Sequence, residues 1–212
     1  MSERERMLSG ELYYSPDQEL TQMHIKCHAI LDEFNQTKFN DFRTREILAH
    51  KLFKSVGENC FINKPFYCDY GVNITVGNNF YANFNCIILD VNEVTIGDNV
   101  MFAPNVNIYT ATHPIDKDVR NSYLEYGKKI IIGNDVWIGG NVVINPGVSI
   151  GDGSIIGAGS VVTKSMPSGV VAAGNHCKII RKITNEDKVY WQQKKEEYYA
   201  KKKEEAVKKQ ST

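Results

Sequence analysis

From residue 57 to residue 174 the apolar positions fall into a step of six. Ile132, Ile138, Ile144, Ile150, Ile156 and Val162 follow that step without a break, and glycine comes next at 133, 139, 151 and 157. Ile130, Val136, Val142 and Val148 stand two residues before members of the series. Upstream, Ile96, Phe102 and Ile108 keep the step, as do Val76, Ala82 and Ile88; between Ile88 and Ile96 it lengthens to eight, near "DVNE". A strand alternates faces every two residues. In "VWI" Val136 and Ile138 therefore point inward and Trp137 outward. A period of six cannot be a helix, which repeats every ~3.6 residues. It predicts short strands joined by turns, stacked as a parallel β-helix around an aliphatic column. Glycine and asparagine suit the turns of such a coil.

The flanks follow another rhythm. In "SPDQELTQMHIKCHAILDEF", Leu20, Met23, Cys27, Ile30, Leu31 and Phe34 form one apolar stripe at helical spacing, with Ser15 able to cap and Pro16 suited to the first turn. A second helical segment is expected from about Asn40 to Val56. Residues 1–56 thus read as an N-terminal helical segment, 57–183 as the β-helix domain, and 184–212 as a Lys/Glu-rich helix or tail carrying Tyr190, Trp191, Tyr198 and Tyr199. One stretch interrupts the coil. "PIDKDVRNSYLEYGKK" (114–129) puts Pro114, Arg120 and Tyr126 at the repeat phase, where an aliphatic column cannot accept them. It reads as a loop leaving the coil, and long loops in compact domains are usually functional or disordered.

Composition narrows the classes. Lys plus Arg, at 25, equals Asp plus Glu, at 25, so the chain lacks the basic field of a general nucleic-acid binder. No apolar run approaches the roughly 20 residues of a membrane helix, and "MSERERMLSG" has no apolar signal core. A cytoplasmic location is the expectation. The five cysteines (27, 60, 68, 86, 177) contain no C-x-x-C pair and argue against a disulfide framework or zinc cluster. Cys86, beside "IILDV", reads as a packed thiol.

Several long stretches carry a resemblance: "GELYYSPDQEL", "CDYGVNITVGNNFYANFNCIILDV", "IGDNVMFAPNVNIYTATHPID", "IGNDVWIGGNVVINPGVSIGDGSIIGAGSVVTK" and "VVAAGNHCKIIRKI". Together they span about residues 8–183. The chain resembles the maltose/galactoside O-acetyltransferases of the hexapeptide-repeat acyltransferase superfamily. "LDV", "YTATHPID" and the Glu of "YLEYGK" favour the maltose branch. The resemblance implies a mainly β fold, a left-handed parallel β-helix with an N-terminal helical segment, a protruding loop and a C-terminal helix. It also implies a homotrimer with active sites between subunits, acetyl-CoA as co-substrate, and no metal.

Acetyl transfer to a hydroxyl needs a base, an oxyanion donor and two held substrates. His113 is the only histidine between Lys51 and Asn175 and falls one place before an inward position, so it should point outward beside the loop. Imidazole titrates near neutral pH, and the resemblance makes His113 the general base of a direct transfer. Glu125 is the candidate to orient it, with Asp116 or a backbone carbonyl as alternatives. Asn83, in "YANFN", matches the family's acceptor-contacting, transition-state-stabilising asparagine. A neutral amide can donate to an oxyanion, although a turn role would also explain it. Asp17, Asp69, Tyr81 and Asn83 are the expected acceptor contacts. For acetyl-CoA the pattern points to Trp137, Gly140, Ala158, Thr163, Lys164, Lys178 and Arg181, the small residues leaving room for a pantetheine arm and the cations facing phosphates. The chain departs from the galactoside branch at His24, where that branch has Arg, and at Val91, where it has an acid. Lys178 stands where the family has Arg. Two other classes remain open: a zinc hydratase on the same coil, which needs two or three histidines within the repeat, and a non-enzymatic β-helix scaffold. A non-sugar hydroxyl or an amine is the alternative acceptor.

Overall fold

The structure is a computed structural model that describes residues 1–210. The chain forms two compact units, Met1–Arg181 and a second beginning at Lys182. The first opens with helices α1 (Glu3–Ser9), α2 (Gln18–Gln36) and α3 (Phe42–Leu52), with the short strand Tyr13–Tyr14 between α1 and α2. Ser2 starts α1 through a reciprocal capping box with Glu5. The start of α2 corrects the sequence expectation. Asp17, not Ser15, is its cap, and the Asp17 carboxylate accepts from the Leu20 amide at 3.1 Å. The second helical segment is also shorter than expected, because Val56 already belongs to the first strand of the coil.

The aliphatic column makes a parallel β-helix with three faces. The first face stacks Ser55–Val56, Ile74–Val76, Val94–Ile96, Ile130–Ile132 and Ser149–Ile150. The second stacks Phe61–Ile62, Tyr81–Ala82, Met101–Phe102, Trp137–Ile138, Ile155–Ile156 and Val170–Ala173, and the strand Lys178–Lys182 continues it. The third stacks Phe66–Cys68, Cys86–Leu89, Asn107–Tyr109, Val143–Ile144 and Val161–Val162. Register is strict: Ile138 pairs with Ile156, Val143 with Val161, and Ile131 with Ser149. The six-step residues all point inward, and Ile132, Ile138, Ile144, Ile150, Ile156 and Val162 are each 0 or 1 % exposed. Cys86 is buried among them.

The glycines of the repeat serve a purpose other than the expected one. Gly133 and Gly151 do not take a left-handed conformation. The corner positions that do are Asn79, Asn99, Asp135 and Gly153, at φ 57, 57, 58 and 64°. What the repeat glycine supplies is room. A polar ladder climbs the edge between the first and second faces. Asp98 Oδ1 accepts from the Asn78 amide at 2.6 Å, Asn134 Oδ1 from Asp98 at 2.8 Å, and Asp152 Oδ1 from Asn134 at 2.6 Å. A Cβ at Gly133 would lie 2.2 Å from Asp152 Oδ1, and one at Gly97 would lie 2.4 Å from Asn134 Oδ1. Glycine lets the ladder pass.

The interrupting stretch is more ordered than a loop. After Thr110 the chain leaves the coil as a hairpin. Ala111–Thr112 pairs antiparallel with the return strand Leu124–Gly127, and helix α4 (Lys117–Asn121) forms the tip. The return strand also pairs with Tyr13–Tyr14, in the register Tyr13 to Glu125 and Tyr14 to Leu124. The second unit is the helix α5 (Asn185–Gln210), along which Lys194 reaches Glu197 at 2.8 Å. Its aromatic residues Tyr190, Trp191, Tyr198 and Tyr199 are exposed. The last two residues of the expected tail lie outside the described residues.

The ladder makes a direct prediction. Gly153→Ala, with open space around it but φ +64°, should cost about 1 kcal/mol of stability. Gly133→Ala, which must displace the Asp152 carboxylate, should cost about 2–3 kcal/mol. Urea denaturation of the two variants checks the order, and equal costs would refute the spatial role of Gly133.

Candidate active site

The site begins where the coil opens. At the edge between the third and first faces, the turn after Leu89 is two residues longer than a repeat step, as "DVNE" implied. The extra length houses two buried polar residues. Asp90 accepts backbone N–H groups from Asp69, Tyr70 and Asn73 at 3.0, 2.9 and 3.3 Å. Asn92 donates to the carbonyls of Met7, Leu8 and Gly127 at 3.1, 3.3 and 3.2 Å. Asn92 thereby ties the end of α1 and the end of the return strand to one corner of the coil. A second apolar cluster of Met7, Tyr13, Leu20, Tyr70 and Val91 seals the same junction.

His113 projects from this junction and is 55 % exposed. Its Nδ1 lies 3.6 Å from Oε2 of Glu125 on the return strand, within ion-pair range but longer than a hydrogen bond. Tyr13, fully buried, donates to the other Glu125 oxygen, Oε1, at 2.5 Å. Asp116 caps α4, accepting from the amides of Asp118 and Val119 at 3.0 and 2.9 Å, and so is committed elsewhere.

The surroundings are strongly polarised. Burial, helped by the Glu125 charge, pushes the Asp69 carboxyl up to about 6, with His28 pulling the other way. Burial pushes Asp90 up to about 7, against the pull of its backbone donors. Burial and then Glu125 raise the Tyr13 phenol, so it keeps its proton and remains a donor. Burial, then Asp69 and Glu125, raise Tyr70. On α2, His24 and His28 stack with ring centroids 4.1 Å apart, and His24 meets Tyr70 edge-on at 6.1 Å. Burial and then His24 lower His28. Asp17 caps α2 and contributes its charge at Tyr70.

The remaining sequence candidates divide between two edges. Lys164 and Thr163 directly follow Val161–Val162, so they sit in line with Tyr109 and Thr110, on the edge that carries His113. Asn83 lies on the opposite edge of the third face. Its amide bonds Phe102, Ala103 bonds Ile138, and Gly139 bonds Ile156, which stacks Asn83, Ala103 and Gly139 in one column. Gly140 and Ala158 adjoin that column, and Trp137 points outward beside it. A Cβ at Gly140 would lie 3.2 Å from the Pro104 carbonyl, so the wall is kept low there. The Asn83 side chain accepts from the Phe84 amide at 2.8 Å, and Tyr81 stacks on Phe61 at 5.9 Å. Strands of the third face separate the two edges by about 10 Å or more at ~3.3 Å per residue. One chain therefore does not bring Asn83 and Tyr81 to His113. Lys178 and Arg181 are exposed on Lys178–Lys182.

Among the described residues no group of three or more His, Cys, Asp or Glu could hold a metal ion. No described helix is long and apolar enough to cross a membrane.

Comparison with known proteins gives this geometry a family. Residues 6–57 match the maltose acetyltransferase hexapeptide capping motif, and residues 129–164 match six bacterial transferase hexapeptide repeats. The galactoside O-acetyltransferase of Escherichia coli is 46 % identical over 187 residues, covering 88 % of this chain and 92 % of that protein. The chain belongs to the maltose/galactoside O-acetyltransferase family. A maltose O-acetyltransferase structure from Clostridium difficile superposes with a TM-score of 0.86 at 52 % identity, over 87 % of this chain and 98 % of that one. A galactoside acetyltransferase in complex with coenzyme A also gives 0.86, at 46 % identity, over 89 % of this chain and 94 % of that one.

For this family member, sequence reasoning passed over Tyr13, Tyr70, His28 and Asp90 as site components. The spacing of His24 and His28, one helical turn apart, was the available signal for the histidine pair. Tyr13 and Asp90 acquire meaning only through partners distant in sequence.

The electrostatics predict a pH dependence. A carboxyl raised on folding binds more protons in the folded state. Its contribution is present below about pH 4 and is lost as pH rises through about 6 for Asp69. Asp69→Asn removes that loss. Its stability relative to the parent should improve by about 1–2 kcal/mol between pH 5 and pH 8, read by urea denaturation at both values. An unchanged difference would contradict the raised carboxyl.

Proposed function

We propose that the protein transfers the acetyl group of acetyl-CoA to a hydroxyl of a sugar of the maltose, glucose or galactoside type, by direct transfer with His113 as base. The observation that carries the reading is the His113–Glu125 pair at an open corner of the coil. Nδ1 faces the carboxylate, which leaves Nε2 free to take a proton. In the proposed reaction Nε2 removes the acceptor hydroxyl proton as the oxygen attacks the thioester carbonyl. A tetrahedral oxyanion forms and accepts a hydrogen bond from the Asn83 amide. It collapses with cleavage of the C–S bond, and the imidazolium returns the proton to the departing thiolate. Asp69 and Asp17 face the acceptor on the His113 side, where carboxylates suit sugar hydroxyls. Trp137, Gly140 and Ala158 would line the pantetheine arm. Thr163, Lys164, Lys178 and Arg181 would hold the distal end of the nucleotide.

The reading requires a second copy. His113 and Asn83 lie on opposite edges of one face, so a complete site takes one residue from each of two subunits. The outward residues support this. On the second face they are Phe61, Tyr81, Met101, Trp137, Ile155 and Val171; on the third they include Tyr67, Ile87, Val143 and Val161. On the first face they are Ser55, Thr75, Thr95, Ile131 and Ser149. Two apolar faces and one polar face suit a ring in which each subunit meets a neighbour on either side, a homotrimer. All five cysteines are free, which accords with a reducing compartment, so the proposal places the enzyme in the cytoplasm.

Release of free CoA from acetyl-CoA, followed across a panel of sugars and small alcohols, tests the reading. At least one saccharide should support turnover. His113→Ala should lower kcat by about 10³-fold while binding acetyl-CoA as the parent does. Full turnover in that variant would overturn the mechanism. Turnover only with a non-sugar acceptor would overturn the substrate class, and failure to bind acetyl-CoA would point to a scaffold.

A further inference from the structure

We infer that Tyr13 is a positioning residue for the base, acting through Glu125. The inference rests on the proposed role of His113 and extends it to the N-terminal segment. Tyr13 and Glu125 are register partners in the antiparallel pairing of Tyr13–Tyr14 with the return strand. Partners in an antiparallel pair bring their side chains close, and here the phenol donates to Glu125 Oε1 at 2.5 Å. The remaining oxygen, Oε2, is the one that faces His113 Nδ1 at 3.6 Å. Both Glu125 oxygens are thus assigned, one to a buried phenol and one to the imidazole. Tyr13 is fully buried, while Glu125 is 18 % and His113 55 % exposed, so the order runs from a fixed group inside to a working group at the surface.

The phenol does two things. It holds the carboxylate plane toward His113, which backbone pairing of the return strand alone would leave free to rotate. It also withdraws charge from the carboxylate, which limits how strongly Glu125 stabilises the imidazolium. The other titratable groups here are Asp69 and Tyr70 from the coil turn, Asp17 beside Tyr70, and His28 from α2 facing Asp69. None of them donates a hydrogen bond to Glu125 in the structure.

The test is Tyr13→Phe, which keeps the ring in its apolar cluster and removes only the hydroxyl. The expected result is about a 10-fold loss of kcat with little change in KM for acetyl-CoA. The acid limb of the kcat/KM profile, set by the base losing its proton, should move to higher pH because Glu125 then carries more charge toward His113. In a Glu125→Gln background the same substitution should leave the limb where it is, since the phenol acts through the carboxylate. Thermal unfolding of Tyr13→Phe reports whether the fold is kept. A merely structural role would lower stability without moving the limb. Parental kcat and an unmoved limb in Tyr13→Phe, with His113→Ala inactive, would overturn the role of Tyr13 alone. An active His113→Ala would instead overturn the base itself.

Discussion

Strict stacking of the coils governs everything else in this protein. Each inter-coil backbone bond fixes one residue over another, so a residue at a corner shares its edge with the corresponding residue of every other coil. Ala103 over Asn83 and Gly139 over Ala103 is one such column, and the Asn78, Asp98, Asn134 and Asp152 ladder is another. A column cannot be left without breaking the register, because a one-residue slip turns the buried set outward. The candidate residues are therefore distributed by edges. His113 and Lys164 belong to one edge, Asn83 and Gly140 to another, and the hydrogen-bonded strands of the third face lie between them.

The coil gives up its register at one place, and the cost of doing so is met by polar groups. A chain leaving a β-helix exposes backbone that the next coil would have satisfied. Asn92 satisfies the carbonyls of Met7, Leu8 and Gly127, and Asp90 collects the amides of the neighbouring turn. Thr110 adds its hydroxyl, accepting from the Asn92 amide at 2.9 Å and donating to Leu89 at 2.7 Å. These groups make the hairpin a fixed extension of the coil, and they deliver Glu125 to His113 from a strand paired on both sides.

The six-residue step is enough to read the β-helix, its inward column and the outward setting of Trp137, because burial acts on side-chain alternation within each short strand; His113 lies beyond Thr110 in the hairpin, so its exposure does not follow from the phase of the coil. The step places the interruption at 114–129, whereas the chain leaves the coil three residues earlier, after Thr110, where Ala111–Thr112 pairs with the return strand. It carried no information about the order inside 114–129, because the return strand pairs with Tyr13–Tyr14, more than a hundred residues earlier. Backbone freedom does not account for the glycines after the inward isoleucines: at Gly97 and Gly133 the deciding contact is with an Asn or Asp side chain one coil away, and at Gly139 and Gly151 it is with the next coil's backbone. Asp17 shows the reverse difficulty: its local role as a helix cap was visible in "SPDQEL", and the fold adds its proximity to Tyr70. The separation of Asn83 from His113 is a property of edges, which a linear motif does not encode.

The central claim is that one active site takes His113 from one subunit and Asn83 from another. Differently tagged His113→Ala and Asn83→Ala chains, co-expressed and purified as mixed oligomers, test it most directly. In a cyclic trimer every mixed ring contains one junction where an intact His113 meets an intact Asn83. The account predicts that mixed rings recover about one-third of parental acetyl transfer, while either variant alone stays inactive. Mixed oligomers as inactive as their parents would contradict it.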